Sequence, residues 1–142
     1  MPVIIALILI AAIYLFGSVQ MTGTDRPPAP TPQIDKMALA IANAEGSPAD
    51  WNNPGDLTIA FGYPTLGTMN SAGVLKFATS ADGWNALYHQ LSLIVSGGSR
   101  YTLSDTIGTF GNGYSGGDPN WAVNVANYLG VTTDTPLGDV LA

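Results

Sequence analysis

The chain has 142 residues and a formal net charge of −6, from ten acids and four bases, a length that suits one modest domain. So few Lys and Arg exclude a nucleic-acid partner, and without a polybasic patch any membrane attachment must come from apolar residues. Cysteine is absent, so neither disulfides nor thiolate metal sites support the core; no metal or cofactor is expected.

The first 21 residues read MPVIIALILIAAIYLFGSVQM. Their uncharged apolar run, about 15 to 18 residues, lies at the short end of a bilayer span. Tyr14 and Phe16 suit the interfacial aromatic position. A cleaved signal peptide normally carries a basic start and a small-residue cleavage site. Here no Lys or Arg precedes the run, and only Gly17 and Ser18 follow it. Residues 1–21 are therefore expected to remain as a transmembrane anchor, meeting lipid through residues 2–18. Arg26 is offset by Asp25, so the positive-inside rule gives no orientation.

Residues 22–33, TGTDRPPAPTPQ, form a Pro-rich linker. Such a stretch favours extended polyproline II at about 3.1 Å per residue, a spacer of roughly 30 to 40 Å.

A single domain is expected over 34–142. Ile34, Met37, Ala38, Ile41 and Glu45 share one face at helical spacing, and Gly46 stops the helix ahead of Pro48. Glu45, the chain's one glutamate, thus falls in the last turn on the core-facing stripe. Burial and the helix C-terminal dipole both oppose its charge and raise its pKa, as a general acid at neutral pH requires. The alternative is that Glu45 turns aside to solvent or joins the helix cap. Asp50 to Leu57 is a knot of turn residues. The apolar runs Leu57–Phe61 and Val74–Phe77 predict a small antiparallel wing.

Thr79-Ser80-Ala81-Asp82 resembles a capping box, with Asp for the usual Glu. Beyond it, Trp84, Leu87, Tyr88, Leu91, Ile94 and Val95 predict the clearest helix, ended by Gly97-Gly98. His89 lies on its polar face and reads as a surface histidine. A short helix around Leu103, Ile107 and Phe110 leads into a loop at 111–117, which fits neither a calcium nor a phosphate loop. Asp118 caps a helix with Pro119 at its first position and Ala122, Val125, Ala126 and Leu129 buried; Gly130 stops it. Thr135-Pro136-Leu137 starts a last turn. The fold class is mainly α (α+β), helices with a small β wing.

Three stretches together resemble a known family: Ala40-Ile41-Ala42-Asn43-Ala44-Glu45-Gly46; Asn52-Asn53-Pro54-Gly55 with Phe77-Ala78-Thr79-Ser80-Ala81-Asp82-Gly83; and Trp121-Ala122-Val123 through Leu129-Gly130-Val131 to Thr135-Pro136-Leu137. In order and spacing they are similar to the lysozyme-like, lytic-transglycosylase-type domains of phage virion proteins, over about residues 34 to 137. The resemblance implies cleavage of the β-1,4 bond of peptidoglycan glycan strands, with Glu45 as general acid and then base. One carboxylate suffices for that route, which closes the sugar's own C6 hydroxyl into a 1,6-anhydro ring. A hydrolase ordinarily needs a second carboxylate about 5 to 9.5 Å away.

The family commonly reads Asn-Asn-Pro-Gly-Asn, whereas this chain has Asp56 at the last place. Asp56 is a second carboxylate, a substrate contact, or a turn residue bonding its own backbone. Trp51, Tyr63 and Tyr114 are candidates for stacking on sugar rings, or ordinary core. Asn52 and Asn53 either bond the substrate's N-acetyl groups or shape the loop. The resemblance implies a single-pass protein of a virion membrane or host inner membrane. Its domain faces the peptidoglycan, and other virion proteins are potential partners. Two alternatives stay open: a non-catalytic virion membrane protein that keeps the scaffold, and a bacterial envelope-assembly muramidase.

Overall fold

The structure is a computed structural model and describes residues 26–142. The expected anchor and residues 22–25 of the linker lie outside the described residues. Among the described residues no helix is long and apolar enough to cross a membrane.

Helix α1 spans Pro32–Glu45, two residues earlier than its apolar stripe indicates. Thr31 accepts from the Ile34 amide as N-cap and Pro32 occupies the first turn, where its missing N–H costs nothing. Gly46 ends the helix at φ 59, as its sequence position implies. A short 3₁₀ turn, Ala49–Trp51, follows. Strands β1 (Thr65–Met69) and β2 (Leu75–Phe77) pair antiparallel, with an irregularity between the Thr65–Phe77 and Met69–Leu75 partners. Helix α2 spans Ser80–Ser96, α3 Ile107–Tyr114, α4 Pro119–Leu129 and α5 Gly138–Leu141. The domain is thus helical with one small antiparallel sheet.

Helix α1 is the axis of the core. It packs on α4, α2 and α5, while α3 packs on α4. Met37, Ile41, Leu87, Leu91, Phe110 and Val125 are fully buried at the centre. The reciprocal capping box at Thr79 and Asp82 starts α2. The C-terminal segment is zipped to the α3 entrance by backbone bonds from Ile107 to Thr135, Gly108 to Thr133 and Leu137 to Asp105.

Three boundaries depart from the sequence pattern. The run Leu57–Phe61 is not a strand. Asn53 engages both the N–H and the C=O of Leu57, and the chain then turns through Phe61 and Gly62 at φ 51 and 84. The more polar Thr65–Met69 pairs with β2 instead, leaving Leu66 and Met69 exposed. Second, α3 runs on through Gly111-Asn112-Gly113, despite the poor helix propensity of glycine. A Cβ at Gly111 would lie 2.8 Å from the Ala122 Cβ, so a close α3–α4 contact overrides propensity there.

Third, the linker is not free along its length. Arg26 pairs with Asp35 and lies 5.4 Å over the Trp84 ring. The Tyr88 hydroxyl is 3.1 Å from Asp35 and 3.3 Å from the Pro27 carbonyl, and Ala29 packs against the core. Residues 26–31 are laid along α1 and α2, and Pro32 and Gln33 are helical. The domain therefore begins by residue 26, not 34.

Candidate active site

Glu45 ends α1, and because α1 packs on α4 its carboxyl meets the first turn of that helix. The Trp121 indole Nε1 donates to Glu45 Oε1 at 2.8 Å. Neither sequence-level alternative for Glu45 holds: the side chain is half-buried and engaged across the core. Its pKa is pushed up from 4.5 to about 7. Burial is the main cause; the Trp121 bond pulls the other way, and the nearby charges of Asp56 and Asp118 add to the rise. A carboxyl poised there both holds and releases a proton at neutral pH.

Asp56 neighbours Glu45 and adds to the rise of its pKa. It adopts φ 48, in the left-handed region tolerated by Asp, so it is a turn residue. Its carboxylate, however, bonds the Ser47 hydroxyl rather than its own backbone, and it faces Glu45.

The knot at 52–55 places Asp56. Asn53 is buried, with its Nδ2 donating to the carbonyls of Leu57 at 3.0 Å and Leu75 at 2.7 Å, and its Oδ1 accepting from the Leu57 amide at 2.8 Å. Asn52 donates to the Phe77 carbonyl at 3.1 Å. Both therefore shape the loop, and Asn53 has no amide proton left for a substrate N-acetyl group. Gly83 in α2 is demanded by this loop, since a Cβ there would come within 1.7 Å of the Asn52 carbonyl oxygen. Gly55 likewise lies under Tyr114, where a Cβ would come within 2.8 Å of the hydroxyl.

Tyr114 is a buttress. Its hydroxyl donates to the Gly55 carbonyl, and its ring stacks on Trp121 at 4.8 Å and 26°. Burial, and then the charges of Glu45 and Asp56, hold its phenol well above the ordinary range, so it stays neutral. Its Trp121-facing side is closed to a sugar ring.

An open cleft of about 530 Å³ runs from Asp56 and Tyr114, past the 57–61 loop and the second half of α2, to Arg100 and Tyr101. Glu45 is not part of the cleft wall; it adjoins it through Asp56 and Tyr114. Trp51 and Tyr63, expected as stacking residues, do not line this cleft. Trp51 is half-buried beside Lys76, whose ammonium lies 6.0 Å from the ring, and Tyr63 packs against the core. Residues that sequence reasoning missed are Trp121, Ser47 and Arg100. A signal for the first existed: a Trp on the buried face of α4 needs a partner for its N–H.

The site as a whole is an acid with a proton-transfer pKa, tuned by a neighbouring carboxylate and an indole, next to an open cleft whose wall includes Asp56 and Tyr114. Comparison with known protein families, with curated proteins and with solved structures finds no match for this chain.

Proposed function

We propose that this chain is a lysozyme-like, peptidoglycan-cleaving lytic transglycosylase of a phage particle, with Glu45 as its general acid and base. It opens the cell wall locally so that the genome can pass. The apolar residues 2–18 anchor it in a virion membrane or host inner membrane, and the domain faces the wall. The observation that carries the reading is the Glu45 site: a helix-end carboxyl, half-buried, held by Trp121 at 2.8 Å and raised to about 7 beside an open cleft.

In the proposed route the protonated Glu45 gives its proton to the glycosidic oxygen as the bond from that oxygen to the sugar's C1 breaks. The resulting carboxylate takes the C6 hydroxyl proton while O6 closes on C1. The proton balance returns Glu45 to its starting state, and no water is added. Asp56 supports Glu45 as the acid by adding to the rise of its pKa.

The test is digestion of purified peptidoglycan by the full chain in mild detergent, with Glu45→Gln as control. Anhydro-muropeptides from the wild type alone support the proposal. New reducing ends would replace it with a hydrolase, and no product from folded protein would leave the scaffold reading.

A further inference from the structure

Away from Glu45 the cleft changes chemical character. Asp56 is the one acid in its wall and Arg100 the one base. Among the described residues the remaining bases are engaged elsewhere. Arg26 pairs with Asp35, Lys76 lies 3.6 Å from Asp50, and Lys36 donates to the Leu129 carbonyl at 3.4 Å. Arg100 has no carboxylate partner among the described residues.

Arg100 is nevertheless held in place. Its guanidinium lies 4.8 Å over the Tyr101 ring, and Nη2 donates to the Tyr101 hydroxyl at 2.7 Å and the Gly113 carbonyl at 3.3 Å. Only Nη2 makes these bonds, so the rest of the planar fork remains available for an anion. A fixed guanidinium binds a carboxylate with less loss of side-chain freedom than a mobile one. In a chain of net charge −6 such a cation is also what makes the cleft tolerable to an anion.

Gln90 lines the same cleft, and its Oε1 is buried without a hydrogen-bond partner. An unpaired buried carbonyl is unfavourable. A ligand N–H that drew the amide into the cleft would relieve it. Between Gln90 and Arg100 the wall includes Leu93 and Ile94, which suit an aliphatic side chain. An amide N–H, a small apolar group and a carboxylate in sequence describe a short acidic peptide. A neutral glycan has hydroxyls but nothing that requires Arg100.

We infer that Arg100 in the cleft wall binds the carboxylate of a short acidic peptide, so that the stem peptide on the glycan strand is recognised along with its sugars. This rests on the peptidoglycan reading above. Arg100 is then a specificity residue, and strands carrying stem peptides are cleaved in preference to strands stripped of them.

The experiment uses the full chain in detergent micelles and two probes, muramyl dipeptide and its analogue with the free carboxylate converted to an amide. Binding is followed by chemical-shift titration for wild type, Arg100→Gln and Glu45→Gln. The acid is expected to bind about tenfold more tightly than the amide, the difference between a charge-assisted and a neutral bond. Arg100→Gln should abolish that ratio, and Glu45→Gln should keep it. Equal binding of the two probes to wild type, or an unchanged ratio in Arg100→Gln, would overturn the inference. Carboxylate-selective binding without strand cleavage would refute the transglycosylase reading and leave the peptide site. Cleavage without carboxylate selectivity would refute the peptide site alone.

Discussion

Replacing Glu45 by Gln should make the protein more stable at neutral and alkaline pH, but not at pH 4. The folded state holds the Glu45 proton up to about pH 7, whereas the unfolded chain releases it near 4.5. Between those values the folded state binds more protons than the unfolded one, so stability falls as pH rises through the window and is flat above it. The full interval corresponds to at most about 3 kcal/mol. Solvent that still reaches the half-buried carboxyl reduces this to about 1–2 kcal/mol. Gln keeps the side-chain oxygen that accepts from Trp121 and adds an N–H that can donate to Asp56, so it mimics the protonated acid without the charge. In urea unfolding followed by tryptophan fluorescence, the variant should exceed wild type by about 1–2 kcal/mol at pH 8, a midpoint shift on the order of 1 M. At pH 4 the two should agree within a few tenths of a kcal/mol. A variant no more stable than wild type at pH 8, or an advantage equal at both pH values, would refute the account of Glu45 as a strained, proton-holding acid. Gained stability with lost activity is the usual mark of a site under functional strain.

Three further substitutions separate the parts of the site. Asp56→Asn removes the like charge and should lower the Glu45 pKa from about 7 while leaving it above 4.5, because burial, the larger cause, remains; a carboxyl-carbon NMR titration reads this directly, and an unchanged midpoint would contradict the coupling. Trp121→Phe keeps most of the ring packing but deletes the N–H that favours the carboxylate, so the same titration should move upward. Asn53→Ala breaks three hydrogen bonds, two that close the loop on Leu57 and one that ties it to Leu75 of β2, and should cost about 3 kcal/mol in urea unfolding. Asn53 acts through the fold, so at a temperature where the variant is folded its KM for peptidoglycan should be close to wild type.

The docked segment at 26–31 alters how an anchored domain would sit. Eight of the twelve linker residues, 26–33, belong to the folded domain. The Arg26–Asp35 pair, backed by Tyr88 and Trp84, fixes the exit of the chain against α1 and α2. A linker composition rich in proline resists regular structure but does not prevent packing on a neighbouring surface.

Local chemistry in the sequence determined the helices. Apolar spacing, Thr79 with Asp82, Asp118 with Pro119, and the stops at Gly46, Gly97 and Gly130 each act within a few residues of their position. Glu45 was legible for the same reason: an acid on a core-facing stripe at a helix end is anomalous whatever packs against it. Tertiary structure alone decided what that acid meets. Trp121 lies 76 residues away, and Asp56 reaches Glu45 only because Asn53 folds the loop onto Leu57 and Leu75. The wing's register, the continuation of α3 through its glycines, and the position of Arg100 in the cleft wall likewise depend on contacts between distant segments. Their energy comes from close packing and buried hydrogen bonds, which no spacing along the chain encodes.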